Sequence, residues 1–171
     1  DNVEYAIKLY EKNLEKLQGK NQPYLEALSY KGLAQVTKKV AYLEKAYMLF
    51  QEIDHASGRA AVLKIYGDIA RNRGVLGEAQ QCYDRAQKLF VKVDDKFGGA
   101  SILRSNGHMQ RMLGNYDVAK RYYAEALKDF SFMNNQGGAA CVLRGMGDLE
   151  RENYHFSEAQ ARYDQALTIF Q

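Results

Sequence analysis

A forty-residue periodicity dominates this sequence of 171 residues. The same residue types return in three successive segments, as an alanine, a tyrosine four positions later and an alanine three positions after that. The triplets are Ala79/Tyr83/Ala86, Ala119/Tyr123/Ala126 and Ala159/Tyr163/Ala166. A motif that returns at a fixed interval identifies a chain built from copies of one supersecondary unit, which limits the fold to stacked repeats.

Each unit is predicted to contain two helices and no strand. Within a unit the apolar residues recur at steps of three and four, which is typical of amphipathic helices. The first helix is expected over about 58–73, and the second carries the alanine–tyrosine triplet. Glycine and phenylalanine columns share the period: Gly58/Gly98/Gly138, Gly67/Gly107/Gly147 and Phe90/Phe130/Phe170. We expect the Gly58 column to let the chain reverse direction between units.

The glycines inside the first helices need a recurring structural reason. A glycine in a helix interior costs about 1 kcal/mol relative to alanine. We expect Gly67, Gly107 and Gly147 to let each first helix approach its second helix closely. The small residues expected opposite them are Ala79, Ala119 and Ala159. The Tyr83, Tyr123 and Tyr163 column and the phenylalanine column are then expected to fill the space between one helix pair and the next.

These features resemble the tetratricopeptide repeat, through Gly67, Gly74, Ala79, Tyr83 and Ala86 at these intervals. The usual unit of that family has about 34 residues, and the longer unit here extends each helix by nearly one turn. Such long units resemble those of kinesin light chains, spindle-orientation adaptors and bacterial peptide-sensing regulators. The resemblance implies an all-α fold, a right-handed solenoid of antiparallel helix pairs.

The expected domain is a single array over 1–171, taken from a longer chain. It starts with an orphan second helix at 1–18, followed by helix pairs at 19–57, 58–97, 98–137 and 138–171. Neither end has a polar capping helix, which solenoids normally need. The Ala6/Tyr10 and Tyr163/Phe170 seams are therefore expected to be partly uncovered and to favour self-association.

No catalytic signature is present, so we expect a non-enzymatic protein without cofactor or metal. The three histidines have no partner at metal-ligand spacing. Gly98-Gly99 and Gly137-Gly138 fall at unit junctions and are interpreted as turns rather than phosphate loops. Cys82 and Cys141 occupy different repeat columns and are expected to be free thiols in a reducing cytoplasm.

The composition also restricts the partners. A net charge of +3, with basic and acidic residues interleaved, argues against nucleic acid. No apolar run approaches the roughly 20 residues that span a bilayer, so no membrane segment is expected. A protein or peptide remains as the expected partner.

By resemblance, the first helices of successive pairs line a concave groove. Residues at steps of four and three on these helices are then groove positions, and Arg104, His108, Arg111 and Asn115 should share one helix face. The candidate peptide-binding residues are Lys64, Arg71, Arg104, His108, Arg111, Asn115, Arg144 and Arg151, with Tyr24 and Lys31 in the first pair. Lys64–Asp68 and Arg144–Asp148 stand at i,i+4, so a salt-bridged structural face is the alternative to a basic groove.

The predicted function is a scaffold that binds an acidic, extended or partly helical segment in this groove. Two alternatives remain open at this point. In the first alternative, the chain is the sensor or interaction domain of a larger signalling ATPase or transcriptional regulator. In the second, it is a structural array that associates with itself.

Overall fold

The computed structural model describes residues 2–169, and that range folds into nine α-helices without a strand. The helices are α1 (Asn2–Leu17), α2 (Pro23–Thr37), α3 (Val40–Glu52), α4 (Ala56–Asn72), α5 (Leu76–Lys92), α6 (Lys96–Met112), α7 (Tyr116–Phe132), α8 (Gln136–Glu152) and α9 (Phe156–Thr168). The predicted all-α class of helix-pair repeats is confirmed.

The packing divides the chain into two compact units, the first ending at Val93 and the second beginning at Asp94. In unit 1, α2 packs on α3 and α4 packs on α5, while α1 contacts α2 and α3 contacts α4. In unit 2, α6 packs on α7 and α8 packs on α9, and α8 also contacts both α6 and α7. Consecutive helices therefore form the pairs that the periodicity predicts.

The connection from each pair to the next differs from the prediction. The residues in the left-handed conformation are aspartates and an asparagine, whose short polar side chains tolerate it. They are Asp54, Asp94 and Asn134, with φ of 48°, 52° and 52°. The glycines expected to make this reversal lie instead in the first turn of the following helix, so that prediction is wrong.

The same glycines take part in helix capping. The backbone N–H of Gly58 donates to His55 Nδ1 at 2.9 Å, and the equivalent bonds on α6 and α8 go to Asp95 and Asn135 at 2.8 and 2.7 Å. A side chain that accepts from the first turn satisfies one of the free N–H groups of the helix. The absence of a Cβ on Gly58 also leaves room for the ring of Phe50.

Inside each pair, the first-helix glycine packs against the tyrosine of the second helix. A Cβ built on Gly107 would lie 2.6 Å from Cε1 of Tyr123, and the other two pairs repeat the arrangement. The predicted alanine partners are therefore wrong, because the nearest atoms belong to the ring. Tyr83 and Tyr123 are fully buried. The tyrosine ring therefore packs within its own pair, and the ring of Tyr123 also faces Gly145 of the next pair, as the prediction for this column requires. The phenylalanine column lies between pairs, as predicted, since Phe130 packs against Gly138.

Helix α1 contains no fully buried residue. Ala6 and Tyr10 of the predicted seam are half-buried, and Tyr5 is 71% exposed. At the other predicted seam Tyr163 is half-buried, while Phe170 lies outside the described residues.

Candidate functional site

On the candidate face of α4, both cationic side chains are paired with a carboxylate of the same helix. Lys64 Nζ donates to Asp68 Oδ2 at 2.6 Å, which confirms the predicted pair. Arg71 Nη2 lies 3.7 Å from Asp68 Oδ1, and the tyrosine hydroxyl of Tyr83 donates to that oxygen at 2.8 Å. The side chains of Lys64 and Arg71 are only 16% and 15% exposed. On this helix the salt-bridged interpretation therefore describes the contacts.

These contacts determine the charge state of Asp68. Burial raises the pKa of the carboxyl, but the charge and hydrogen bond of Lys64, the Tyr83 hydroxyl and the charge of Arg71 outweigh burial. The pKa of Asp68 therefore lies below its ordinary value of 3.8, and the group is an anion at neutral pH.

Helix α6 carries an imidazole where α4 carries that carboxylate. His108 Nδ1 and the Tyr123 hydroxyl lie 2.9 Å apart, and their rings meet edge to face with centroids 5.4 Å apart. His108 therefore takes the structural place of Asp68 without supplying a negative charge. Arg104, one turn earlier, is half-buried and forms no ion pair within residues 2–169. Its Nε is buried without a hydrogen-bond acceptor.

Arg111 on the same helix is paired, although the sequence offers it no local acid. Its Nη1 donates to Glu152 Oε1 on α8, and the side chain is 18% exposed. Burial lowers the pKa of Arg111, but Tyr123, Glu152 and Asp148 together raise it above its ordinary value. Arg111 is therefore held between α6 and α8 by acidic residues of the next pair.

Asn115 does not share the helix face of Arg104, His108 and Arg111. Helix α6 ends at Met112, and Asn115 is the N-cap residue of α7. Its Nδ2 donates to Gln110 Oε1 at 2.9 Å. The prediction that all four residues lie on one face is wrong for Asn115, because the chain turns at Gly114, whose φ is 75°.

Helix α8 presents two exposed arginines. Arg144 forms no ion pair with any described residue, so its predicted pair with Asp148 is not formed. Asp148 Oδ1 instead accepts from the Tyr163 hydroxyl at 2.8 Å. Burial and this bond raise the pKa of Tyr163, and a hydrogen bond from Arg151 opposes them.

A glycine that the sequence analysis passed over brings α8 close to α6. A Cβ on Gly145 would lie 3.1 Å from His108 Cε1 and 3.1 Å from Tyr123 Cε1. The equivalent positions in two other pairs are Ile65 and Ser105. The decrease in side-chain size along this column was the sequence feature that could have predicted the close approach of α8 to α6. The helix that carries Arg144 thus packs directly against the His108–Tyr123 pair.

The two candidates of the first pair lie elsewhere in unit 1. Tyr24 is 44% exposed, and its ring centroid lies 5.1 Å from that of His55. Lys31 lines a cavity of about 650 Å³ between α1 and α2, together with Lys16 and Lys20. Burial lowers the pKa of Lys31.

Both thiols are free and half-buried, as expected. Cys82 lines a second cavity of unit 1, of about 330 Å³, which the sequence analysis did not anticipate. Within residues 2–169 no group of three or more histidine, cysteine or acidic side chains is placed to hold a metal ion. Over the same range no helix has the length and apolar character needed to cross a membrane.

No family model matches the sequence. No curated protein matches it either. Among solved structures, the chain is similar to the crystal structure of BtubC (BKLC) from P. vanneervenii, with a TM-score of 0.73 and 18% sequence identity. The match covers 99% of this chain and 74% of that one. At this identity the likeness shows the fold alone, and it supports a tetratricopeptide-like helical repeat.

Proposed function

We propose that this chain is a non-enzymatic protein-interaction scaffold, and that α6 and α8 of unit 2 bind an acidic segment of a partner. The observation that carries the proposal is Arg104, a half-buried guanidinium without an acidic partner among the described residues. Arg144 on the adjacent first helix is exposed and equally unpaired. Cations that the fold leaves without a carboxylate are the natural contacts for a carboxylate of another chain.

The energies are sufficient for a modest affinity. A hydrogen bond to a charged group contributes roughly 1.5–3 kcal/mol. Two such bonds, together with apolar contacts, would suit a micromolar dissociation constant, which corresponds to about −8 kcal/mol. The ligand is expected to be extended or partly helical, so that successive carboxylates reach the two helices.

Not all candidate residues contribute equally to this proposal. Lys64, Arg71 and Arg111 are already ion-paired within the protein. An incoming carboxylate would have to compete with those internal pairs. Arg104 and Arg144 therefore form the proposed contact pair, and Arg111 supports them by holding α6 against α8.

Fluorescence anisotropy with a labelled peptide of alternating Glu and Leu tests the proposal. We expect it to bind more tightly than the Gln counterpart and more weakly as salt rises, because the Debye length falls to about 8 Å near 0.15 M. Arg104→Ala should weaken binding about tenfold, the equivalent of about 1.4 kcal/mol.

Arg121→Ala is the matched control, because it removes the same charge from an exposed position on α7. It should leave the affinity unchanged. Equal binding of the Glu and Gln peptides, or equal losses in the two variants, would contradict the proposal.

A self-associating array is the second candidate, favoured by the exposed apolar side chains of α1. Val3, Tyr5 and Leu9 are 47%, 71% and 47% exposed. If α1 mediates association, the sedimentation coefficient should rise with concentration, and Tyr5→Ser with Leu9→Ser should abolish the rise. A sedimentation coefficient that is independent of concentration would remove this candidate.

A further inference from the structure

We infer that the cavity between α1 and α2 binds a soluble phosphomonoester with an apolar body, through Lys16, Lys20 and Lys31. This site shares no residue with the contact proposed for α6 and α8, so it does not depend on the proposed function. It would give the array a small-molecule ligand in addition to a protein partner.

Among the described residues that line this cavity, three are lysines and none is acidic. Lys16 lies at the end of α1, Lys20 in the turn that follows it, and Lys31 on α2. None of the three forms an ion pair with a described residue. Lys31 is half-buried, and burial lowers the pKa of its amine because it disfavours the charged form. An anion bound in the cavity would compensate this charge.

The acidic side chains of the same two helices line a different cavity. Glu11, Glu15 and Glu26 surround a space of about 510 Å³, which has no basic residue among the described residues of its lining. The two cavities share no described lining residue. A solvated helix surface laced with salt bridges alternates the signs of its charges, whereas α1 and α2 separate them.

The size and lining of the lysine cavity indicate a small organic molecule. Its volume of about 650 Å³ lies within the range of roughly 300–1,000 Å³ that is typical of small-molecule sites. Leucines from both helices line it beside the lysines: Leu17, Leu25 and Leu28. The helices meet closely at Gly32, where a Cβ would overlap the ring of Tyr10. An inorganic ion would leave the leucines in contact with water, so the ligand should carry an apolar body.

The set of cations favours a phosphate over a carboxylate. A phosphomonoester carries roughly 1.5–2 negative charges at neutral pH and three acceptor oxygens, whereas a carboxylate carries a single charge and two oxygens. Lysine is a compact point charge that commonly binds phosphate. No described residue of the lining is an arginine, whose planar fork matches a carboxylate with two bonds. Three ammonium groups around one cavity therefore suit a dianion better than a monoanion.

Isothermal titration calorimetry with naphthyl phosphate tests the inference. Naphthol lacks the charge of this probe, and inorganic phosphate lacks its apolar body. We expect both to bind at least about tenfold more weakly than naphthyl phosphate, because each loses one of the two contributions to affinity.

Variants of single charges locate the site. Lys31→Met keeps the length of the side chain and removes its charge, so it should weaken binding of naphthyl phosphate about tenfold. Lys16→Met combined with Lys20→Met changes only exposed positions and should weaken binding by a similar factor. Lys12→Met is the matched control, because it removes the same charge from an exposed position of α1 outside the cavity, and it should bind like wild type. Thermal unfolding shows whether each variant is folded.

The outcomes separate this ligand from the alternatives. Loss of binding in the Lys16/Lys20 double variant supports the inference even if Lys31→Met fails to fold. The inference is overturned if naphthyl phosphate does not bind wild type, if it binds both cavity variants as it binds wild type, or if Lys12→Met loses as much affinity as they do.

Two further assays test other occupants of the cavity. Sedimentation with phosphatidylcholine vesicles that contain phosphatidate, if it requires Lys31 while naphthyl phosphate does not bind, would overturn the inference in favour of a membrane surface. The peptide of alternating Glu and Leu (the Glu/Leu peptide) is titrated into the same variants. If Lys31→Met abolishes its binding and Arg104→Ala does not, the cavity belongs to the acidic segment, and both this inference and the proposed contact at α6 are overturned.

Discussion

The helix pairs α4–α5 and α6–α7 share their buried contact and differ in the charge beside it. In both, a first-helix glycine faces the ring of a fully buried tyrosine, Tyr83 or Tyr123. The hydroxyl of that tyrosine reaches Asp68 in one pair and His108 in the other. A repeat can therefore keep its packing fixed while one position alters the electrostatics of its surface.

The largest effect should come from breaking the shared contact. Gly67→Leu and Gly107→Leu would each place a side chain against the tyrosine ring, and overpacking of this kind costs typically 1–3 kcal/mol. Urea unfolding should show losses of similar size in both variants.

Gly77→Ala is the control, since nothing lies within 4 Å of a Cβ at that position on α5. It should leave stability unchanged or raise it by up to about 1 kcal/mol. A loss below about 0.5 kcal/mol for Gly107→Leu would place that glycine among ordinary surface positions.

Removing the Tyr83 or the Tyr123 hydroxyl should lower stability by different amounts in the two helix pairs. Tyr83→Phe deletes a bond to an ionised carboxylate and is expected to cost roughly 1.5–3 kcal/mol. Tyr123→Phe deletes a bond to an imidazole and is expected to cost about 1 kcal/mol. Free energies of unfolding measured in parallel check the order, and a larger cost for Tyr123→Phe would show that the imidazole bond is the stronger one.

A smaller effect of opposite sign is expected from the turn inside the last pair, α8–α9. Gly74 and Gly114 adopt φ of 79° and 75° within the pairs α4–α5 and α6–α7, but Tyr154 adopts 64° at the equivalent place. A left-handed conformation costs a non-glycine residue roughly 1–2 kcal/mol. Glycine removes this cost, but it also makes the unfolded chain more flexible, which offsets part of the gain in stability. Tyr154→Gly should therefore raise stability by about 0.5–1 kcal/mol. A decrease in the unfolding midpoint would instead assign Tyr154 a packing role through its contact with Phe156.

The smallest expected effect is the change of stability with pH that Asp68 contributes. Because the folded pKa of Asp68 lies below 3.8, this carboxylate contributes stability above that pH, and the contribution is lost as pH falls through the folded value. Asp68→Asn should be less stable than wild type at neutral pH, and the difference should narrow on acidification. Unfolding curves from neutral to strongly acidic pH measure it. A constant difference at all pH values would mean that Asp68 acts only through shape.

Much of the fold was predictable because each helix pair repeats the spacing of the others. The first helices begin at Ala56, Lys96 and Gln136, two residues before the glycines that were expected to start the units. The chain reversal was predicted at the wrong residues because glycine is the usual residue in the left-handed conformation, whereas Asp94 adopts that conformation here. The local pair Lys64–Asp68 also followed from spacing alone.

The contacts between helices were less accessible to sequence reasoning. The bond between Arg111 and Glu152 joins residues 41 positions apart, and it depends on the rotation between successive first helices. No periodicity defines that rotation. The tyrosine bonds were accessible in principle, because each spans the same fifteen positions, but the partner changes from aspartate to histidine in α6.

Arginine side-chain NMR during a peptide titration tests the central claim most directly. The Nε atoms of Arg71, Arg104 and Arg111 are all buried without an acceptor among the described residues, so their N–H groups should be protected from solvent exchange. On addition of the Glu/Leu peptide, we predict a shift of the Arg104 Nε–H resonance that saturates with the anisotropy signal. The chemical shift of the Arg71 resonance should not change, because the guanidinium of Arg71 is already paired with the carboxylate of Asp68. A saturating shift at Arg71 with none at Arg104 would contradict the assignment of the anionic ligand to α6.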